Sequence, residues 1–479
     1  MAERRRVPPP LAALIAASLL LALVWAFVTP PFQAPDENAH FGYTQTLAES
    51  GELPGAPGKG LLSSEQIDAG SASNSDQAAA QRGTKMEWNP RVWKQWRAAD
   101  ATRPKTTRTD GGGPNPASAN PPLYYALEAV AYDLTPGGDL FSRLLSTRIM
   151  SLLWLAVTVS AVWALCGEAL GRDSVLQLAA AGLAGLAPML TFVSASVSPD
   201  AMLFALWSVA LWLGVRSLRR GLTTWGALAL FAVVGAAIVV KAASYALLPG
   251  ALFVVAVAWK RRGLPWRPAL AGAAGLAVTA GAWFVIASAL NRPAAAQVQS
   301  AAGGGAVNVR ELLSYVWQFY LPRPPFMNAF PTNAHTIPVY DVWLKGTWAA
   351  FGWTEVLFRN RVYVVLAAVT VAVVIGAAMQ LWRTRHEGDR TIFAFLAIVT
   401  VSLLAGLHWS EYRMIKAGAS GFNQGRYLLP LVGVAGLVLA LAIKRFSPRL
   451  RPYGTAVAVG GLMVLQMLSL ALVMVRFYA

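Results

Sequence analysis

Residues 11–43 read LAALIAASLLLALVWAFVTPPFQAPDENAHFGY, an apolar run that ends in prolines and is followed by two adjacent acidic side chains. The run 11–28 is long enough to cross a bilayer, and three arginines precede it at positions 4–6. A signal peptide begins in the same way, but it has a shorter apolar core and a small-residue cleavage site. We therefore expect an uncleaved first span, with its basic end in the cytoplasm and with Asp36 and Glu37 at the outer surface.

The acidic motif lies where the chain must change direction. Its prolines prevent the first helix from continuing, and a new helix can begin with Asp36 as its N-cap. His40 and Tyr43 follow Asp36 at i+4 and i+7, so these three polar side chains share one helix face. A purely structural interpretation stays open, in which Asp36 caps the helix and Glu37 favours its first turn.

Composition identifies the class of protein. The chain has 479 residues, of which 56% are hydrophobic and 13% charged, and its mean hydropathy is +0.47. Such a chain is too apolar for an ordinary soluble domain, so we expect an integral membrane protein. The net charge of +17 comes largely from short clusters between apolar runs, which argues for membrane topology and against nucleic-acid binding. Cys166 is the sole cysteine, which excludes an intramolecular disulfide and a cysteine-based metal site.

The apolar runs predict an all-α polytopic membrane protein with about 11 transmembrane helices and two long outer-face loops. Beyond the first span, the runs cover residues 146–166, 175–195, 201–218, 224–240, 243–259, 268–290, 362–382, 391–407, 427–443 and 454–475. Basic clusters occupy every second connection, which places those connections in the cytoplasm. The expected segments are a first transmembrane helix (1–29), a first outer loop with interfacial helices (30–145), helices 2–7 (146–290), a second outer loop (291–361) and helices 8–11 (362–479).

The first outer loop is polar and rich in Gly, Ala, Ser and Pro over residues 51–120, so we expect much of it to be mobile. Trp88, Trp93 and Trp96 alternate with basic residues, which suits anchoring at a membrane interface or contact with a sugar-bearing lipid. The loop closes with the motif NPPLYYAL, whose Tyr124 lies in an aromatic helix expected beside the acidic one.

Other polar side chains lie in connections that are predicted to be at the same outer face as Asp36 and Glu37. They are Asp200, Lys241, Arg323, His335, Arg426 and Tyr427. Lys241 lies between two apolar runs, where an ionised group costs roughly 2.5 to 3.5 kcal/mol unless it has a partner or snorkels to water. A lipid phosphate would be a suitable partner, although snorkelling alone also explains this position.

Four short motifs carry a resemblance to a known family. They are PDENAHF (35–41), NPPLYY (120–125), SPD (198–200) and QGRYLLP (424–430). Together with the layout of the spans, they resemble a family of bacterial multispanning membrane proteins of unknown function. That family is similar in turn to the GT-C glycosyltransferases, such as the protein O-mannosyltransferases and the lipid A aminoarabinose transferase.

The resemblance implies a GT-C-like bundle in the bacterial inner or plasma membrane, with its active face outside. It implies transfer from a polyprenyl-phosphate sugar donor to a glycan, lipid or protein acceptor of the envelope, with Asp36 and Glu37 in the catalytic place. The substrate-binding candidates are His40, Tyr43, Tyr124, Asp200, Lys241, Arg323, His335, Arg426 and Tyr427. No cofactor is predicted with certainty; a divalent cation at Asp36, Glu37 or His40 stays open, although three ligands on one short helix form an incomplete shell.

Two other classes of function stay open from the sequence. A lipid or sugar transporter would also be polytopic, but it should show internal repeats and polar residues at mid-membrane, and here the ionisable residues collect at one face. A non-catalytic scaffold of an envelope glycan assembly complex would keep the packing without the chemistry. The paired acids of the first outer loop favour an enzyme.

Overall fold

The computed structural model describes residues 7–87, 89–135, 138–263, 265–296, 307–330, 337–383, 387–418, 421 and 423–479. Over these residues the chain is helical, and strand pairing is limited to one isolated bridge between Phe351 and Val356. Nine of the described helices are long and apolar enough to cross a membrane. They are Pro9–Val28, Leu140–Leu170, Pro199–Arg220, Ala242–Arg262, Trp266–Ala289, Asn360–Arg383, Gly388–Lys416, Gly425–Lys444 and Arg451–Phe477. The predicted all-α polytopic fold is confirmed.

The remaining two apolar runs form helices of another kind. Ser174–Leu186 and Pro188–Ser194 meet at 56°, and the described residues contain ten spans if this bent pair is counted as one. The bend lies at Ala187, which is extended because the following proline disfavours a helical conformation there. The run 224–240 forms the shorter helix Thr224–Ile238, which ends just before Lys241.

The helix Pro199–Arg220 occupies the centre of the bundle. In its apolar window 72% of the residues are buried, whereas the figure for Asn360–Arg383 is 17%. Peripheral helices therefore turn much of their apolar surface outward, as expected of helices that face lipid. Inside the bundle, Gln466 accepts a hydrogen bond from the Trp25 indole at 2.7 Å and donates to Thr191 at 2.8 Å, which joins the first and last spans.

The first long connection folds onto one end of the bundle, the end at which Pro9–Val28 finishes and Pro199–Arg220 begins. We call this end the site end. Short helices occur along this connection, including within residues 51–120, a stretch that is polar and rich in Gly, Ala, Ser and Pro. They are Glu37–Ser50, Ser64–Ala72, Ser75–Ala80, Pro90–Ala101, Thr106–Thr109 and Leu123–Asp133.

A buried polar network holds these short helices together. The carboxylate of Glu65 has no exposed surface and accepts hydrogen bonds from Arg143 at 2.5 Å, Arg108 at 3.1 Å and Gln45 at 2.7 Å. Trp96 is buried as well, and its ring packs against Phe141 with centroids 5.4 Å apart. Trp96 therefore packs within the protein rather than at a membrane surface; Trp88 lies outside the described residues.

The final helix, Arg451–Phe477, fastens both long connections at the site end. Arg476 donates hydrogen bonds to the carbonyl oxygens of Ala78 and Thr84 in the first connection, at 3.0 and 2.7 Å. The same guanidinium pairs with Glu355 of the second connection at 2.7 Å. The backbone N–H of Met86 also donates to the carbonyl oxygen of Phe477 at 3.0 Å.

The second connection packs on the helix Gly388–Lys416 through an aromatic cluster. Its helix Val309–Tyr320 contributes Tyr315 and Tyr320, whose hydroxyls contact the two ring nitrogens of His408 at 3.2 and 2.9 Å. Trp343 covers the same imidazole, with ring centroids 5.1 Å apart. This cluster anchors the early part of the second connection to a span.

Candidate active site at the acidic motif

Asp36 pairs with Arg426 at the site end. Its carboxylate oxygen Oδ2 lies 2.5 Å from a guanidinium nitrogen of Arg426. The helix begins at Glu37 as predicted, but the Asp36 side chain makes no capping hydrogen bond, which corrects its expected role as a capping group. Asp36 instead has a left-handed backbone conformation, with φ of 61°, an uncommon state that clusters at functional sites.

Glu37 is held in a quite different way, although it is the next residue. Its carboxylate is fully buried and accepts hydrogen bonds from Arg148 at 2.8 and 2.6 Å. The backbone N–H groups of Phe32 and Val197 donate to it as well, each at 3.1 Å. With four donors, Glu37 is a fixed link between the acidic motif and two neighbouring helices.

Lys241 and Asp200 form the second ion pair of the site. The ammonium nitrogen of Lys241 lies 2.6 Å from a carboxylate oxygen of Asp200, whose side chain is 4% exposed. Lys241 follows the end of Thr224–Ile238, and Asp200 lies in the first turn of Pro199–Arg220 behind its cap Ser198. The partner that Lys241 needs near bilayer depth is thus supplied by the protein itself.

Tyr427 brings the two cations together. The ammonium of Lys241 lies 5.2 Å from the centroid of its ring, and the guanidinium carbon of Arg426 lies 5.4 Å from it. Both distances suit cation–π contact. The two ion pairs therefore form one charge cluster at the site end, which comprises Asp36, Asp200, Lys241 and Arg426.

The charge cluster keeps Asp36 in its ionised form. Burial by itself would raise the pKa of Asp36, but the charges of Arg426 and Lys241 outweigh that effect and hold the pKa below its ordinary value. Asp36 is therefore a carboxylate at neutral pH, which is the form that a general base requires.

His40 and Tyr43 contact the motif that closes the first connection. The Nδ1 atom of His40 lies 2.9 Å from the hydroxyl oxygen of Tyr125, and the amide of Asn120 donates to the same oxygen at 2.6 Å. The rings of Tyr43 and Tyr125 stack with centroids 3.7 Å apart. Burial lowers the pKa of His40 to about 4, so its imidazole is neutral at pH 7.

Tyr124 lies deeper than the other candidates. Its ring is fully buried and its hydroxyl lies 2.8 Å from the hydroxyl of Ser151, which in turn donates to Glu128 at 2.9 Å. Burial raises the pKa of Glu128 to about 8, so this carboxyl is largely protonated at neutral pH. Tyr124 thus packs the helix Leu123–Asp133 against the span Leu140–Leu170 rather than facing an opening.

Close backbone contact between glycines places Arg426. A Cβ atom added to Gly425 would lie 2.2 Å from the carbonyl carbon of Gly346, so only glycine fits where these two segments cross. Thr347, next to this crossing, donates to the carbonyl oxygen of Gly425 at 3.2 Å. The indole of Trp353 donates to the carbonyl oxygen of Phe32 at 3.3 Å. The later part of the second connection therefore supports the site.

Arg323, a candidate from the early second connection, lies apart from the charge cluster. Arg323 is exposed and donates to the carbonyl oxygen of Met327 at 2.7 Å. It is also absent from the charges that influence the pKa of Asp36. His335 lies outside the described residues, so its proposed role stays a prediction.

Sequence reasoning missed Arg148 and Tyr125 as parts of the site. Arg148 lies at the start of the apolar run 146–166, and an arginine at that depth requires a partner, as was argued for Lys241. That signal was available. Tyr125 stood in the motif NPPLYYAL beside Tyr124, but no property of the sequence indicated which of the two tyrosines would contact His40.

The donor atoms at the acidic motif fit a divalent cation poorly. Both oxygens of Glu37 are taken by Arg148 and by backbone N–H groups, and the Nδ1 atom of His40 is taken by Tyr125. Within the described residues, no group of three or more His, Cys, Asp or Glu side chains is arranged to hold a metal ion. We therefore assign no step to a metal.

Two concave regions accompany the bundle. An apolar recess of about 10 Å³, room for about one water molecule, is lined by Ile238, Ala242, Tyr245 and Trp283 among others. A cavity of about 690 Å³ lies at the opposite end of the bundle, where Lys444 and the ion pair of Arg219 with Asp389 contribute to its wall. The larger cavity is therefore remote from the acidic motif.

The sequence profile described as "Predicted membrane protein (DUF2142)" matches residues 19–435. No curated protein sequence matches the chain. The oligosaccharyltransferase of Archaeoglobus fulgidus in its apo form has a similar structure, with a TM-score of 0.50 and 11% identity over 96% of this chain and 56% of that one.

Two bacterial structures are also similar to the chain. ArnT from Cupriavidus metallidurans bound to undecaprenyl phosphate gives a TM-score of 0.49 and 14% identity over 91% of this chain and 60% of that one. The arabinosyltransferase EmbB from Mycobacterium smegmatis gives a TM-score of 0.40 and 14% identity over 100% of this chain and 42% of that one. The chain thus spans 60% or less of the length of these proteins. The likeness to the oligosaccharyltransferase confirms the GT-C-like layout as a fold.

Proposed function

This chain belongs to the DUF2142 family of membrane proteins, and we propose that it is a glycosyltransferase that uses a polyprenyl-phosphate sugar as donor. The observation that carries the proposal is the charge cluster of Asp36, Asp200, Lys241 and Arg426 at the site end. It combines a partly exposed carboxylate with two cations at one end of an apolar helical bundle. A lipid phosphate offers the matching chemistry, since its charged group suits the cations and its chain suits apolar surface.

The proposed reaction is a single inverting displacement. The oxygen of an acceptor hydroxyl forms a bond to the anomeric carbon of the sugar, while the bond from that carbon to the phosphate oxygen breaks. Asp36 takes the proton of the hydroxyl, and the departing polyprenyl phosphate keeps the bonding electron pair as negative charge. Arg426 and Lys241 stabilise that charge, and one carboxylate suffices because no covalent intermediate forms.

The neighbouring residues have supporting roles in this proposal. Tyr427 orients the two cations, and His40 and Tyr43 support the acidic helix through their contacts with Tyr125. Glu37 and Tyr124 are positioning residues, because their polar atoms are buried and already bonded to the protein. Arg323 receives no role, and His335 remains a candidate for acceptor binding.

The site end faces the outside of the membrane in this proposal. Basic clusters at the opposite end, among them Arg219, Arg220 and Lys444, favour a cytoplasmic location for that end by the positive-inside rule. Asp36 would then meet acceptors of the bacterial envelope, whether glycan, lipid or protein. The donor phosphate would lie at the outer face of the membrane that the chain spans, while its prenyl chain remains in the lipid.

The test is transfer by the purified full-length protein in nanodiscs. A panel of synthetic polyprenyl-phosphate sugars is supplied with a membrane extract as acceptor source, and release of polyprenyl phosphate is measured. We expect Asp36→Asn to lower the rate by about two to four orders of magnitude, the usual contribution of a general base. Asp341→Asn is the matched control. It also replaces an ion-paired aspartate by asparagine, but the pair of Asp341 with Lys345 lies in the second connection, outside the charge cluster.

The outcomes separate the classes of function. Loss of transfer in Asp36→Asn, with normal transfer in Asp341→Asn and unchanged thermal unfolding of both, supports the proposal. Transfer that persists in Asp36→Asn at the rate of the unaltered protein contradicts the role of Asp36. Movement of the intact lipid-linked sugar across a vesicle membrane, without release of polyprenyl phosphate, would identify a transporter.

A further inference from the structure

We infer that the ion pair of Asp36 with Arg426 is a resting contact which a lipid phosphate replaces, so that binding of the donor releases the base. This inference rests on the proposed function, and it concerns the order of events at the same site. It starts from a difference between Asp36 and Glu37, which are adjacent in sequence and each pair with an arginine.

The Asp36 pair is unequal in exposure. The Arg426 side chain is 4% exposed, whereas that of Asp36 is 37% exposed. The guanidinium therefore lies fixed within the protein, and the carboxylate is the partner at the surface. In the pair of Glu37 with Arg148 both side chains are buried, at 0% and 4% exposure, and Glu37 has two further backbone donors. Of the two carboxylates, Asp36 is therefore the one that can move towards solvent when another anion takes its place on the arginine.

Arg426 also has unused hydrogen-bonding capacity. Beyond Asp36, it donates to the carbonyl oxygen of Pro35 at 3.3 Å, a long contact. Its Nε atom is buried and has no hydrogen-bond partner among the residues that the structure describes. A buried donor without a partner is costly, and it indicates a place where a ligand oxygen can bind. A phosphate has several oxygens and can satisfy a guanidinium at two positions.

The charge balance explains why Asp36 must move. Asp36 and Asp200 carry two negative charges, and Arg426 and Lys241 carry two positive ones, so the charge cluster is neutral before the donor binds. A phosphate that enters adds negative charge beside both carboxylates. Asp200 cannot withdraw because its side chain is 4% exposed, so repulsion acts on the exposed Asp36.

Release changes the chemistry of Asp36. While it is paired, one oxygen is occupied by Arg426, and the arginine charge keeps the carboxylate a weak base. After the exchange, the phosphate neutralises Arg426, and Asp36 becomes both free and more basic. An acceptor hydroxyl therefore meets an active base only when the donor phosphate is already in place.

The experiment measures binding of a prenyl phosphate rather than transfer. Farnesyl phosphate is titrated against the full chain in nanodiscs, with farnesol as the control for the apolar chain. Removal of the competing carboxylate should tighten binding, so Asp36→Asn and Asp36→Ser should each lower the Kd for farnesyl phosphate by about tenfold, the scale of one charge-assisted hydrogen bond. Arg426→Gln should raise the Kd, and Asp341→Asn should leave it unchanged.

An unchanged or weaker affinity in both Asp36 variants, with thermal unfolding like that of the unaltered protein, overturns the exchange. Equal tightening for farnesol overturns it as well, because the effect would then belong to the prenyl chain. The two proposals fail separately. Tighter binding of farnesyl phosphate to Asp36→Asn, together with no transfer by the unaltered protein from any donor sugar, supports the exchange and contradicts the transferase. Transfer that requires Asp36, with equal affinity for farnesyl phosphate in Asp36→Asn and the unaltered protein, does the reverse.

Discussion

Arg148 donates hydrogen bonds to both carboxylate oxygens of Glu37, and its remaining donors reach the backbone carbonyls of Ala26, Thr29 and Pro30 at 2.7 to 2.9 Å. One side chain thus fixes the end of the first span and the start of the acidic helix. The left-handed conformation of Asp36 lies between these two fixed points. Its unfavourable backbone geometry is maintained by this buried arginine.

Loss of Arg148 should therefore destabilise the protein strongly. Arg148→Gln leaves the Glu37 carboxylate buried without its cation, and breaking a buried pair in this way costs about 3 to 5 kcal/mol. Lys59→Gln is the control, because the pair of Lys59 with Glu52 is exposed and should contribute no measurable stability. Chemical unfolding in detergent measures both variants. A similar loss in the two would contradict the structural role assigned to Arg148.

The glycine crossing can be tested by adding a single methyl group. Gly425→Ala would force its Cβ to within 2.2 Å of the Gly346 carbonyl carbon, so the segment that carries Arg426 must shift. We expect a loss of about 1 to 3 kcal/mol, as for other overpacked sites. Gly460→Ala is the control, since nothing lies within 4 Å of its added Cβ and alanine favours a helix. Equal stability of both variants would exclude a tight crossing.

Tyr427 should influence the affinity for a prenyl phosphate through its ring. Tyr427→Leu removes the aromatic face between Lys241 and Arg426, and we expect binding to weaken by about threefold to thirtyfold, the range of one or two cation–π contacts. Tyr427→Phe keeps the ring and should retain most of the affinity. Equilibrium titration with farnesyl phosphate measures the effect. Equal weakening in both variants would assign it to the hydroxyl group.

His40 should make the protein sensitive to acid. In the unfolded chain its imidazole takes up a proton near pH 6.5, whereas in the folded protein burial delays this to about pH 4. Between these values the unfolded state binds more protons, so folding stability falls as the pH falls. Across the whole range from pH 6.5 to pH 4, the free energy of unfolding should fall by about 3 kcal/mol, since a shift of one pKa unit corresponds to about 1.4 kcal/mol. Thermal unfolding from pH 7 to pH 5 should show a shallower pH dependence in His40→Gln than in the unaltered protein; identical slopes would contradict this prediction.

The fold was predictable because membrane spans leave a long, continuous signal. The apolar runs identified the bundle, and the alternation of basic connections indicated that Asp36, Asp200, Lys241 and Arg426 lie at one end. The run 224–240 shows the limit of that signal. Its apolar composition gave no indication that the helix ends at Ile238 and leaves Lys241 at a break beside Asp200.

Partner choice within the site was not predictable from spacing. Asp36 and Glu37 are adjacent, yet their arginines come from distant parts of the chain, Arg426 from a late span and Arg148 from the second one. Which acid meets which arginine depends on the left-handed backbone at Asp36, a state that tertiary contacts impose. The sequence also contained no sign of which part of the second connection reaches the site. Gly346 lies against Gly425 and Trp353 donates to the carbonyl oxygen of Phe32, whereas Arg323 is exposed.

The attachment of Arg476 to both connections has a consequence for biosynthesis. The ribosome makes the acidic motif early, but the hydrogen bonds to Ala78 and Thr84 and the pair with Glu355 require the helix Arg451–Phe477 to have been inserted. The connection that carries Asp36 is therefore synthesised long before it can be fastened. Until then the emerging site is an open loop, and it matures when the final helix joins the bundle.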